Sequence, residues 1–181
     1  MIKTSFKYKR LILLICFGVY LLSTTFTPVD FASASEARPQ ASAPAGGPIY
    51  KYLIHQGTGG PVACGDSLVP VYAGKRTGDL KRDEATALNS LFATPKNSGG
   101  LYNPLFASRL KVKNVQYNNT KNAVIYLGGK FVRPTQNCEV ARARAVVWAT
   151  AQQFPEVKHA IIWYGRVLLG DLLAPKDMPK K

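Results

Sequence analysis

The sequence predicts an α/β domain of the α+β type, with two helices packed on one face of a small mixed or antiparallel sheet. Three observations lead there. Short β-branched runs alternate with amphipathic segments in the order strands, helix, hairpin, helix, strands. The segments Asp79 to Phe92 and Cys138 to Phe154 carry a helical apolar period. No internal repeat is detectable that would extend this order into a solenoid or propeller.

The first segment is a leader rather than part of the fold. Lys3, Lys7, Lys9 and Arg10 precede the apolar run Leu11 to Leu22, and Ala32-Ser33-Ala34 supplies small residues for cleavage. The run is shorter than the roughly 20 residues a spanning helix needs. Residues 1–34 are therefore read as a cleaved signal peptide, with an uncleaved anchor as the alternative. Cys16 lacks the small preceding residue of a lipoprotein signal, because Leu13-Leu14-Ile15 stands there. Residues 35–48, rich in Ala, Pro, Gly and Ser, are expected to be a flexible linker. The domain proper is expected at 49–174, and 175–181 is a basic tail.

Within the domain, Tyr50 to Ile54 is a short strand closed by the turn Gly57-Thr58-Gly59-Gly60. Leu68 to Ala73 alternates poorly but is β-branched, and predicts a buried strand ending at Gly74. Asp79 can cap the first helix, with Asp83 and Glu84 early and Ala87, Leu88, Leu91 and Phe92 on one face. Pro95 and Gly99-Gly100 then break regular structure. Leu110, Val112 and Val115, the turn pair Asn118-Asn119, and Ala123 to Leu127 read as a β-hairpin. In the second helix Val140, Val147, Ala151 and Phe154 form an inner face that Pro155 terminates. His159 to Tyr164 is a strand, Gly165 turns the chain, and Val167 to Leu169 is a last short strand.

Charge and cysteines narrow the chemistry. The chain holds 24 Lys and Arg against 10 Asp and Glu, a net charge of +14. Loss of residues 1–34 leaves 20 basic and 9 acidic groups, so the exported product itself carries +11. Such a surface attracts anionic partners. Two histidines and three cysteines are too few for a zinc or haem centre of several ligands, so no cofactor is expected. Cys64 and Cys138 are the cysteines left after cleavage. An exported chain meets oxidising conditions, so a Cys64–Cys138 disulfide is expected, with two separately buried thiols as the alternative.

One motif tempts towards catalysis. Gly65-Asp66-Ser67-Leu68 spells the nucleophile block of GDSL esterases, and Glu156-Val157-Lys158-His159 echoes their Asp-x-x-His block with Glu for Asp. That chemistry requires Ser67 activated by His159, with an acid behind the ring and oxyanion donors in front. No Gly-x-Asn-Asp block supplies those donors, and His159 opens an apolar strand. Gly57-Thr58-Gly59-Gly60 is not a phosphate loop, because no Gly-Lys-Ser/Thr follows. Asn118-Asn119-Thr120 fits a glycosylation sequon and equally a hairpin turn. Lys111 and Lys113 are expected on one strand face by period two. Arg142 and Arg144, two residues apart, cannot form one clamp on a helix.

Several segments together resemble the GerMN domain of the sporulation and spore germination family. They are Cys64-Gly65-Asp66-Ser67-Leu68-Val69-Pro70-Val71, the helix with Ala87-Leu88 and Leu91, and Gly100-Leu101-Tyr102-Asn103. Val124-Ile125-Tyr126-Leu127-Gly128-Gly129 follows, then Cys138, Arg142, Thr150, Gln153-Phe154-Pro155 and Val157. The resemblance spans residues 49 to 173. It implies a small domain of two helices on a sheet, Gly65 to Leu68 leading into a buried strand, surfaces able to self-associate, and no enzymatic role.

The resulting expectation is an exported, non-enzymatic GerMN-like interaction or scaffold module at the bacterial cell envelope. An esterase using Ser67 and His159 is the alternative. The partner is expected to be an envelope protein or anionic envelope polymer, or a second copy of the chain. Nucleic acid is not expected, because no reading helix or aromatic RNA-binding motif is present. Membrane contact is expected only if the signal stays attached. Lys75, Arg76, Lys81 and Arg82, clustered around the first helix start, are the expected contact patch.

Overall fold

A computed structural model describes residues 46–62 and 64–175. The signal peptide, most of the linker and residues 176–181 of the basic tail lie outside the described residues. The elements run β1 Pro48–His55, β2 Ser67–Lys75, α1 Leu80–Ala93, β3 Asn97–Ser98, β4 Leu101–Tyr102, β5 Arg109–Tyr117, β6 Asn122–Lys130, α2 Asn137–Ala151, β7 His159–Tyr164, β8 Val167–Leu168 and α3 Leu169–Leu172. The α+β class holds, and the strands divide between two four-stranded sheets. The first has the order β2-β1-β4-β3 and is antiparallel throughout. The second has the order β5-β6-β7-β8, with β6 and β7 parallel across the α2 connection.

Helix α1 links the two sheets, packing against β1, β2 and β5 as well as α2. Asp79 caps it as its sequence position predicts, its Oδ1 accepting from the backbone N–H groups of Lys81 at 3.0 Å and Arg82 at 3.4 Å. The expected inner face is the buried one: Ala87, Leu88, Leu91 and Phe92 join Ile49, Leu53, Val147 and Ile162 in one core. Glu84, like Asp83, is also fully buried on this helix despite its charge.

Several expectations need correction. β2 is not a buried strand but an edge, with Pro70 exposed and Tyr72 at 59% exposure. Proline has no N–H for a second ladder, so an edge suits it and discourages pairing with another chain. The strand also continues through Gly74 to Lys75. Lys111 and Lys113, by contrast, share a face as expected even though the register slips between Val112 and Asn114: Gly128 stands opposite Lys111, and a side chain there would run into that of Lys113. The region of Gly99-Gly100 is not merely broken but turns the small β3–β4 hairpin. Helix α2 stops at Ala151, since Pro155 disfavours helical geometry at Phe154, which is buried nonetheless. Leu169 begins a short helix instead of ending a strand. The end of the linker is ordered: Gly46 N–H donates to the Arg76 carbonyl at 3.1 Å, and Arg76 N–H to that of Gly47 at 2.8 Å. These bonds extend the β1–β2 ladder.

Candidate functional site

Several of the residues that carried the family resemblance gather where the loop after β1 meets the start of α2. The Cys64–Cys138 disulfide joins the two, with Cα atoms 6.0 Å apart and a sequence separation of 74. Cys64 takes a left-handed backbone at φ 71°. That conformation is uncommon for a residue with a side chain, and here the crosslink holds it. Next to it Asp66 is fully buried. Its Oδ1 accepts from Gly57 N–H at 2.9 Å, and its Oδ2 from Arg142 Nε at 2.5 Å. Arg142 Nη1 donates to Glu139 Oε1 at 2.5 Å, while the Tyr102 hydroxyl donates to Glu139 Oε2 at 2.5 Å. The guanidinium also lies 5.9 Å from the centre of the Tyr102 ring.

Electrostatics fix the charge states of this network. The Arg142 guanidinium holds the Asp66 carboxyl below the usual carboxylate range, against the opposing effect of burial. Burial and the neighbouring Glu139 push the Tyr102 phenol upward, so it stays a donor. Asp66 is thus a fixed anion, Arg142 a fixed cation and Tyr102 a fixed O–H. The arrangement works as a clamp among loop, β4 and α2, not as a proton-exchanging pair.

The other signature, at the end of α2, braces the opposite margin of β1. Gln153 Oε1 accepts from Tyr50 N–H at 2.7 Å, and its Nε2 donates back to the Tyr50 carbonyl at 2.6 Å. Thr150 Oγ1 accepts from Tyr52 N–H at 3.0 Å. Two side chains therefore replace a neighbouring strand. Phe154 then sits 5.2 Å from the Arg76 guanidinium, which donates through Nη2 to Glu156 at 3.1 Å and lies 3.6 Å through Nε from Asp83.

This geometry removes Arg76 from the expected contact patch. Its side chain is only 9% exposed and is neutralised by two carboxylates. Lys75, Lys81 and Arg82 remain exposed, but Asp79 stands among them. Ser67 and His159 are not brought together as a dyad: one opens β2 in the first sheet, the other opens β7 in the second. The Ser67 hydroxyl is 2.8 Å from that of Thr58, and a side chain at Gly60 would overlap it. The histidine that faces Ser67 across the ladder is His55. Among the described residues no group of three or more His, Cys, Asp or Glu is placed to hold a metal ion.

A second group of basic residues lies elsewhere. Between Glu84 and Glu139 the chain has no acidic residue, yet it carries Lys96, Arg109, Lys111, Lys113, Lys121, Lys130 and Arg133. All seven are exposed, and among the described residues none forms an ion pair. Arg109 and Lys130 stand directly opposite each other on β5 and β6. Like charges in that position work against the sheet.

Two solved structures resemble this domain. One is the first GerMN domain of the sporulation protein GerM from Bacillus subtilis, with 15% identity and a TM-score of 0.43 over 66% of this chain and 85% of that one. The other is a Clostridium perfringens protein described as a lipoprotein, with 19% identity and a TM-score of 0.41 over 66% of this chain and 76% of that one. No family model matches the chain, and no curated protein does.

Sequence reading singled out Lys111 and Lys113 but not the basic residues that accompany them on β5, β6 and the adjoining loops. Summed charge favoured the densest run of Lys and Arg, around residues 75–82. The 54 residues between Glu84 and Glu139 carry no acid at all. A lysine without acidic neighbours keeps its field, whereas one beside them does not.

Proposed function

We propose that the chain is an exported, non-enzymatic interaction module of the bacterial cell envelope that engages an anionic envelope component. One observation carries this reading: the residues most suggestive of chemistry are committed to holding the fold. Asp66 and Arg142 tie the loop to α2, Ser67 is paired with Thr58, and Thr150 and Gln153 brace β1. A polar residue whose hydrogen bonds are all spent on structure has little left for a substrate. The resemblance to a family of sporulation and germination proteins agrees with an adaptor or scaffold, and the leader with a place outside the cytoplasm.

Two measurements test the reading together. Purified protein should hydrolyse no ester substrate above the rate of a Ser67→Ala variant of equal stability. It should also co-sediment with isolated cell envelope and be released by salt, because exposed charges are screened beyond about 10 Å at 0.1 M ionic strength. Turnover that disappears in Ser67→Ala would establish an enzyme instead. Absence of envelope binding at low salt would remove the module reading.

A further inference from the structure

We infer that the end of the second sheet where β5 begins and β6 ends is a docking surface for an anionic lipid bilayer. The inference rests on the envelope reading above and names the partner of that module. Backbone and side-chain bonds bring six residues together there. Asn103 N–H donates to the Lys96 carbonyl at 2.8 Å, and Phe106 N–H to the Asn103 carbonyl at 3.3 Å. Lys96 Nζ lies 5.2 Å from the centre of the Phe106 ring. Ser108 Oγ accepts from Val132 N–H at 3.0 Å, which sets Val132 beside the loop of Phe106. Arg109 faces Lys130, and Arg133 follows Val132.

The result is four exposed cations around two exposed apolar side chains, Phe106 at 37% and Val132 at 36% exposure. Gly129 makes the close approach of the strands here feasible: at φ 95° it takes a left-handed backbone, and a side chain would strike the Arg109 carbonyl. The fold thus crowds Arg109 and Lys130 together and offers no carboxylate nearby in sequence to relieve them. A surface built this way gains from an external sheet of negative charge. The apolar pair distinguishes the bilayer from a soluble polyanion, since a ring and a branched side chain can enter the headgroup boundary while the cations meet lipid phosphates.

The test uses the full chain with vesicles of phosphatidylcholine alone or mixed with phosphatidylglycerol. The leader contains its own apolar run, so the readout is the difference between the two compositions. Wild-type protein should partition onto the anionic vesicles in preference, and an R109E/K130E variant should lose roughly a hundredfold of that partitioning or more. A K75E/K81E/R82E variant should retain it. The single variant R109E adds a check on folding. It turns the repulsive pair into an attractive one, so its thermal midpoint should not fall although its vesicle binding does. Fluorescence gained in an F106W variant should be quenched by brominated phosphatidylglycerol. Equal partitioning to both vesicle types with no such quenching would overturn the inference. Binding to inorganic polyphosphate but not to anionic vesicles would overturn it too, while leaving the envelope module intact.

Discussion

Arginine is used in two ways in this domain. Arg76 and Arg142, on the side of the first sheet, are folded against aromatic rings and held between pairs of carboxylates. Arg109 and Arg133, on the second sheet and its flank, are exposed and have no carboxylate partner among the described residues. Both kinds count equally in a net charge of +14. Physically they differ, because a buried guanidinium is neutralised within the fold and an exposed one projects its field into solvent. The comparison separates arginines whose charge is neutralised inside the fold from arginines whose charge is not, even though Arg133 donates one bond to the Ala174 carbonyl at 2.8 Å.

The largest expected effects fall on the architectural side. Removing the disulfide by a Cys64→Ser, Cys138→Ser double substitution should cost about 4 kcal/mol, since the crosslink closes a long loop in the unfolded chain. Urea denaturation with and without reductant measures it, and mass spectrometry without reduction should find no free thiol at either position. Next comes a pH effect. Burial raises the Glu84 carboxyl from its usual 4.5 to about 8, with the Tyr117 hydroxyl only partly offsetting the shift. A raised folded-state value means that the neutral form is favoured by folding. Its contribution is therefore complete below pH 4.5 and is lost as pH rises towards 8. Chemical denaturation across that window should show stability declining by several kcal/mol, and Glu84→Gln should flatten the decline.

Smaller effects sharpen the same contrast. Arg142→Ala strands Asp66 and Glu139 and should cost about 3 kcal/mol, towards the lower end for a broken buried pair because the guanidinium retains some solvent contact. Arg142→Lys should rescue little, because a single ammonium cannot replace the guanidinium fork that grips both carboxylates. Gln153→Ala leaves the Tyr50 N–H and carbonyl unpartnered and should cost about 2 kcal/mol. Calorimetric unfolding measures both. If either were neutral, the signature residues would have a task other than structure.

Much of the fold was legible in the sequence where local physics was decisive. The cap at Asp79, the apolar face from Ala87 to Phe92, the turn after Tyr117 and the strand from His159 to Tyr164 each follow from nearby residues. What failed was non-local. Whether β2 lies in the middle or at the edge of a sheet depends on partners far along the chain, although Pro70 carried a hint. The bulge at Lys113 adds a residue to β5 that period-two counting cannot see. At the site, the pairing of Cys64 with Cys138 was readable from export and number alone. The loss of Arg76 from the surface was not, because Glu156 lies 80 residues away.

The two kinds of arginine do separate work, and one pair of variants tests this directly. Thermal melting and anionic-vesicle binding should be measured side by side for R76Q/R142Q and R109Q/R133Q. R76Q/R142Q should melt well below the wild type, whereas R109Q/R133Q should melt close to the wild type yet bind vesicles far more weakly. An R109Q/R133Q protein that bound undiminished, or an R76Q/R142Q protein that melted unchanged, would contradict that division.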